Sequence, residues 1–475
     1  MSDQLGTSDI ARLLEVSRPR VWQLRKDPGF PQPAARDKQG REYWYEDQIL
    51  RWVATTRRSL ADKAPLLFRP TSGTTAYYLG TFMVDGFVTL TWDSELGRIA
   101  FVYSPSGFEA GEITHVLDHL LQKTGADTLI GMDSRFHDAW GPELAAVDAA
   151  HPRRHYTPRW TDLQQTLGMR VPYWPSGLTI PQEMTKWQPG TSPAVLPPRH
   201  PDLDTGPLLQ MVSSCEDGST LATAALHLAR EIDAQAASGA RSDIDLLEKA
   251  HDRDAITLAA KPLEVPETPD VDEWKLRDGW AQILNRTDDL AKACIALALQ
   301  WDGGHYFPFA TPTLLDPKKS PEAAELVARL RHATPTAAVE AFGHREVDTY
   351  WSDPATDLPV IITPNGEVWA TVPQRLPALA PLSQIILRDR HVWIRTSDGM
   401  LYLAPQDGTG LTWGYRGGGP TTLAILLSHL LDDINAPAVR SHREGPPPAG
   451  LLKLIQGTEG GIFTRDQLQA ACDDI

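Results

Sequence analysis

The stretch LLEVSRPRVWQLRKDPGFPQP, Leu13 to Pro33, decides how the N-terminal part of this chain is read. The apolar pair Leu13-Leu14 is followed by the break Glu15-Val16-Ser17, in which Val16 can plug a turn. Pro19 then stands where a helix can start, since a first-turn residue does not need its N–H. With Ser17 as N-cap, the spacing predicts a helix from Arg18 to Lys26, holding four basic residues in nine positions. Val21 and Leu24 fall on its inner side. Arg18, Arg20, Gln23 and Lys26 fall on its outer side, with Trp22 on the flank. Upstream, Thr7 or Ser8 can cap a first short helix that buries Ile10, Leu13 and Leu14.

Downstream, ARDKQGREYWY (Ala35 to Tyr45) predicts a short β-wing around Gln39-Gly40 that carries Arg36, Lys38 and Arg41. YEDQILRWVATTR (Tyr45 to Arg57) predicts a third helix with Ile49, Leu50, Trp52 and Val53 inward. Two short helices, a hairpin and a third helix make a winged helix-turn-helix. Its second helix can enter the major groove, where Arg and Gln read base edges while Ser17 and Lys26 suit phosphates.

Residues 1–58 resemble the winged helix-turn-helix domains of excisionase-type and MerR-type regulators. The shared features are I-A-x-L-L-x-V-S-R from Ile10, V-x-x-L from Val21, F-P-x-P from Phe30, G-R-x-x-W from Gly40, and an apolar helix ending in Trp52. The resemblance implies that Ser17, Arg18, Arg20, Gln23 and Lys26 are recognition-helix contacts and Arg41 a wing contact. The competing reading is a helical hairpin used for protein docking.

Charge supports the first reading. The whole chain of 475 residues carries −16, which argues against a nucleic-acid coat over its entire surface. Residues 1–60 hold 11 Lys+Arg against 8 Asp+Glu, a net of +3, so the remainder carries −19. A 41% hydrophobic and 22% charged composition fits globular protein of two to four domains. No run of 18 uncharged apolar residues occurs, so no membrane span is expected. Three scattered cysteines, Cys215, Cys294 and Cys472, argue against a disulfide framework or a Cys-based zinc site. With no signal-like N-terminus, a cytoplasmic, nucleoid-associated protein is expected.

Beyond residue 60, ADKAPLLFRPTSGT (61–74) looks like a linker. Residues 76–205 are expected to form an α/β or α+β domain: GFVTLTWD and RIAFVYS as a hairpin, GEITHVLDHLLQKTGA as a helix, DTLIGMD as a strand. Residues 206–345 read as mainly helical, interrupted by the acidic Pro-rich linker 261–273. Residues 350–475 read as a β-rich α+β domain, with Asn365-Gly366 marking a hairpin. The expected fold class is therefore multidomain α+β.

Three further constellations bear on chemistry. HPRRHYTPRW (His151 to Trp160) interleaves Arg153, Arg154 and Arg159 with aromatic rings and is a candidate second nucleic-acid contact. The competing reading is a loop whose arginines pair with the chain's own carboxylates. Asp93 and Asp133 stand at strand ends, where two carboxylates on neighbouring strands could hold Mg²⁺, an arrangement similar to that of ribonuclease H. Strand-end Asp residues are more often turn formers. WGYRGGGPTTLAILLSHLL (Trp413 to Leu431) places three glycines before a helix without a P-loop ending. Its W-G-Y-x-G-x-G-P run resembles small uncharacterised proteins of actinobacteria and their phages, and a tight turn packing a helix onto a sheet is the expected role.

The expectation is a sequence-specific double-stranded-DNA-binding protein of a bacterial chromosome, plasmid or phage, without cofactor or resident metal. Since one winged helix covers a half-site, it is expected to work as a dimer or array. The alternatives are a metal-dependent, nuclease-like enzyme targeted by its winged helix, and a protein-interaction scaffold.

Overall fold

The computed structural model describes residues 4–104, 112–137, 141–200, 202–408, 410–441 and 444–474. The chain is a multidomain mixed α+β protein with several separate sheets. It divides into two units. One comprises Met1–Leu203 with Asp233–Glu267, the other Asp204–Ile232 with Thr268–Ile475. Residues 206–345, expected as one mainly helical region, are thus shared between the units. The shared stretch includes the 30-residue helix Thr220–Lys249.

The first unit opens with β1 (Gln4–Leu5), α1 (Thr7–Leu13) and α2 (Arg18–Leu24). Then come β2 (Ala35–Arg36), β3 (Glu42–Tyr45) and α3 (Glu46–Thr56). The helix starts differ slightly from expectation. Gly6, not Thr7 or Ser8, is the cap of α1, and its N–H is bonded by the Asp9 carboxylate at 3.1 Å. Helix α2 ends at Leu24, where Arg25 takes the cap position. The short strands pair antiparallel in the order β1-β3-β2.

The aromatic residues at the end of this stretch share one packing job. Phe30 meets Trp44 and Trp52 edge-on at 5.9 and 4.9 Å, and the Trp44 indole donates to the Pro31 carbonyl at 3.0 Å. The F-P-x-P turn is thereby clamped between the hairpin and α3, which sets where α2 must end.

Residues 61–74 are not a free linker. Two 3-10 turns, Arg58–Lys63 and Leu66–Phe68, bury Ala64, Leu67 and Phe68. These join a single hydrophobic cluster running from Ile10 through Trp52 to Trp160 and Ile256. The reason is long-range. The buried Asp148 carboxylate accepts from the Leu66 N–H, the Thr128 hydroxyl and the Tyr156 hydroxyl, each at 2.8 Å. The segment therefore gains packing and polar partners from chain some 80 residues away.

The sheet it joins holds β4 (Tyr77–Val84), β5 (Phe87–Ser94), β6 (Gly97–Tyr103), β7 (Thr128–His137), β8 (Gly141–Asp148) and β9 (His155–Tyr156), in that order. Neighbours are antiparallel except β6 and β7, which the crossover helix α4 (Glu112–Thr124) makes parallel. Helix α5 (Trp160–Leu167) follows β9.

The second unit holds a five-stranded and a four-stranded sheet. The Asn365-Gly366 turn joins the antiparallel strands Leu358–Ile362 and Val368–Pro373, with Gly366 at φ 78°. The helix Gly418–Asp432 begins in the triple glycine and buries Leu423, Leu426, Leu427 and Leu430 with Ile385, Leu387 and Ile394 of the four-stranded sheet. A packing turn suffices to explain those glycines. Among the described residues, no helix is long and apolar enough to cross a membrane.

Candidate nucleic-acid interface

Helix α2 is two-faced, and its two faces follow from three-to-four-residue spacing. Val21 and Leu24 are fully buried beneath it with Ile10 of α1 and Leu14 at the end of that helix. Ser17, Arg18, Arg20, Gln23 and Lys26 are all exposed. Arg20 donates to the Gln23 carboxamide oxygen at 2.9 Å, so these two side chains already share an orientation. Trp22 is 56% exposed beside them.

Arg25, on the inner edge, behaves differently. Its guanidinium lies over the Trp22 and Trp44 rings, 4.5 and 4.8 Å from their centroids, and pairs with Glu42. It joins α2 to the hairpin. The same Glu42 carboxylate also takes Arg36 at 2.7 Å. Arg36 was expected to face nucleic acid with Lys38 and Arg41; it remains exposed, but it shares the Glu42 carboxylate on the neighbouring strand with Arg25. Lys38 and Arg41 are exposed at the hairpin tip.

That tip is held by one carboxylate. Asp37 accepts from the Gln39 and Arg41 backbone N–H groups, both at 2.8 Å, and Tyr43 adds a third bond at 3.3 Å. The Arg41 N–H, first among these, holds the Asp37 carboxyl below its usual range. Gly40 closes the turn at φ 77°, a conformation that suits a residue without Cβ. The turn before α2 uses a costlier residue. Glu15 sits at φ 52°, and its bond to the Lys63 ammonium holds its carboxyl low.

The stretch His151–Trp160 presents a contrasting picture. Arg154 donates to the Lys63 carbonyl at 2.8 Å and reaches the Glu46 carboxylate at 3.4 Å. His155 pairs with Asp118 at 2.9 Å, and the Tyr156 hydroxyl is buried on Asp148. Two residues further on, the Asp162 carboxylate takes Arg51 of α3 in a two-pronged pair, at 2.5 and 2.6 Å. The candidate second contact is corrected at Arg154, whose guanidinium ties the 3-10 turns and α3 to the sheet. Arg153 and Arg159 remain exposed.

The Asp93–Asp133 metal site is also corrected. Strand β6 separates β5 from β7, so the two aspartates are not on neighbouring strands. Asp93 pairs across its hairpin with Arg98 in register and by an ion pair at 3.2 Å. The Asp133 side chain lies outside the described residues. Its backbone position lies two residues beyond Gly131, the partner of Val102, and so is level with Ser104, six residues along β6 from Arg98. At about 3.3 Å per residue the two positions stand on the order of 20 Å apart, too far for one cation. Among the described residues, no three His, Cys, Asp or Glu side chains cluster to hold a metal ion.

Sequence reasoning found the outer face of α2 because helical spacing is local. It missed the pairing of Arg36 with Glu42, and it weighed the pairing of the 151–160 arginines with the chain's own carboxylates without being able to name Glu46 as the partner of Arg154. Comparison of the chain with protein-family models, with curated proteins and with solved structures returns no match.

Proposed function

We propose that the chain is a sequence-specific double-stranded-DNA-binding protein whose residues 4–57 act as a winged helix-turn-helix. The observation that carries this reading is the outer face of α2. Five polar or basic side chains, Ser17, Arg18, Arg20, Gln23 and Lys26, lie exposed over a buried Val21–Leu24 base. In this reading Arg20 and Gln23 contact base edges, Ser17 and Lys26 contact phosphates, and Lys38 and Arg41 approach the backbone from the hairpin. The remainder, carrying −19, stays off the duplex and serves assembly or partner binding. A dimer or array follows from the half-site geometry of one winged helix. Regulation of a chromosomal or mobile-element locus, in association with the nucleoid, is the setting this supports.

Selection of the full chain against a random duplex pool tests it. A recurring motif, bound at least tenfold more tightly than a scrambled duplex at a stated salt concentration, is expected. Recovery of no motif would refute it. The exposed Trp22 indole favours a second reading, a protein partner docking on the same face. That reading is supported if Trp22→Ala abolishes capture of a partner while leaving DNA selection unchanged.

A further inference from the structure

Within the second unit, a cleft of about 490 Å³ opens between the helix Glu273–Leu284 and the end of the strand Val368–Pro373. A second lobe of about 420 Å³ shares Arg277, Gln374 and Arg375 with it and adds Arg440. These volumes suit a small molecule rather than a macromolecular segment.

The polar groups of the cleft are not equally engaged. Arg277 donates through Nε to Glu273 at 2.8 Å and through Nη1 to Gln374 Oε1 at 3.1 Å. A guanidinium can only donate, so this bond fixes which end of the Gln374 amide is oxygen. Gln374 as a whole is only 6% exposed, and its Nε2, which has no acceptor among the described residues, still reaches solvent at the cleft. A donor that bonds only water can exchange that water for a ligand oxygen. The next residue, Arg375, is exposed and makes no hydrogen bond or ion pair with the described residues. The acids of the wall are occupied. Glu273 holds Arg277, Asp407 holds Arg440 at 3.2 Å, Asp278 bonds Thr220 and Gln282, and Glu444 accepts from the Ser441 N–H at 3.1 Å. What the cleft leaves unsatisfied is therefore donor chemistry, an amide N–H and a guanidinium on consecutive residues.

Beside these donors stand flat apolar surfaces. Trp274 lines the cleft and is 61% exposed, and Tyr306 lies in the same wall. An indole that exposed gains from an aromatic ring laid on it.

We propose that this cleft binds an aromatic anion, a planar ring bearing one phosphate or carboxylate, as in a nucleoside monophosphate. The anion sits on Arg375 and the Gln374 Nε2 donor, and the ring lies against Trp274. This proposal stands independently of DNA binding.

Isothermal titration of the full chain with the four nucleoside monophosphates, phenyl phosphate, benzoate, adenosine and inorganic phosphate tests it. At least one aromatic anion should bind saturably, at least tenfold more tightly than adenosine or inorganic phosphate. A preference for nucleotides names that source, and a preference for benzoate names aromatic carboxylates. Arg375→Ala, an exposed change that leaves the fold intact by circular dichroism, should weaken binding tenfold or more. Gln374→Glu, which still gives Arg277 an acceptor, should weaken it as well. Trp274→Ala should reduce the advantage of the aromatic anion over inorganic phosphate. Absence of saturable binding by every aromatic anion, inorganic phosphate binding as tightly as any of them, or unchanged affinity in Arg375→Ala would overturn the proposal.

Discussion

Two arginine-rich stretches of the first unit, Ser17–Lys26 and His151–Trp160, look alike in composition but differ in how far the chain itself engages their side chains. Along α2 and the turn that follows it, Arg18, Arg20 and Lys26 are exposed, and only Arg25 turns inward to Glu42 and two indoles. In the second stretch, Arg154 is held by the Lys63 carbonyl and Glu46, His155 by Asp118, and Tyr156 by Asp148. A basic, aromatic run is thus an ambiguous sign of nucleic-acid binding. What separates the two is whether the chain supplies its own acceptors. Near the second stretch it does, because the 3-10 turns and α3 pack there. On the outer face of α2 the acceptor it supplies is Gln23, which takes Arg20 at 2.9 Å, and no carboxylate pairs with Arg18, Arg20 or Lys26 among the described residues.

The contrast can be broken first at its structural side. Arg51→Ala removes the partner of Asp162, which is 7% exposed, and the cation stacked 4.0 Å from the Phe68 ring centroid. A loss of about 3 kcal/mol in denaturant-unfolding stability is expected, because a mostly buried carboxylate is left unpaired. A loss under about 0.5 kcal/mol would mean that the join between α3 and α5 contributes little.

On the other side, Arg20→Ala and Gln23→Ala should leave stability unchanged within about 0.5 kcal/mol, since both are exposed. Each should instead cost about 1–3 kcal/mol of discrimination between the selected and scrambled sites. Because the two side chains bond each other at 2.9 Å, the double variant should lose less than the sum. Competition binding of the single and double variants measures this.

Arg154→Ala should lose about 1–2 kcal/mol of stability and leave the salt dependence of DNA binding unaltered. Lys26→Ala should do the reverse, flattening the slope of log K against log salt by about 0.9 with no change in melting temperature. If Arg154→Ala flattened the slope, the two stretches would not differ as argued.

The smallest effect concerns the hairpin tip. The folded-state pKa of Asp37 is lowered, so its stabilising bonds are fully present above the unfolded value near 3.8. They are lost as pH falls through the lower folded value. The Gln39 and Arg41 amide resonances should shift together in that range, while those of α2 do not follow. Asp37→Ala should produce the low-pH pattern at neutral pH.

Much of this was legible locally. Ser17, Pro19, Val21 and Leu24 mark α2 and its buried side. Asn365-Gly366 marks its hairpin for a similar local reason, although only Gly366 takes the positive φ that a primed turn would ask of both residues. The misses are long-range. Strand β4 carries no clean alternation, and Tyr77, Phe82 and Met83 stay exposed on it. Residues 61–68 look like a linker until Asp148 and Tyr156 are brought to them by the sheet. The division of residues 206–345 depends on which distant chain each part packs against. The engagement of Arg36 by Glu42 depends on a hairpin register that composition does not reveal.

The most direct test is one competition experiment at fixed salt. It compares the affinity ratio for the selected site over a scrambled duplex in the wild-type chain, in Arg20→Ala and in Arg153→Ala. Both changes remove one exposed arginine, one from each stretch. The account predicts that the ratio falls by about tenfold or more in Arg20→Ala and stays at the wild-type value in Arg153→Ala, with both variants folded. A ratio that survives Arg20→Ala, or one that falls as far in Arg153→Ala, would contradict the claim that the outer face of α2 reads DNA.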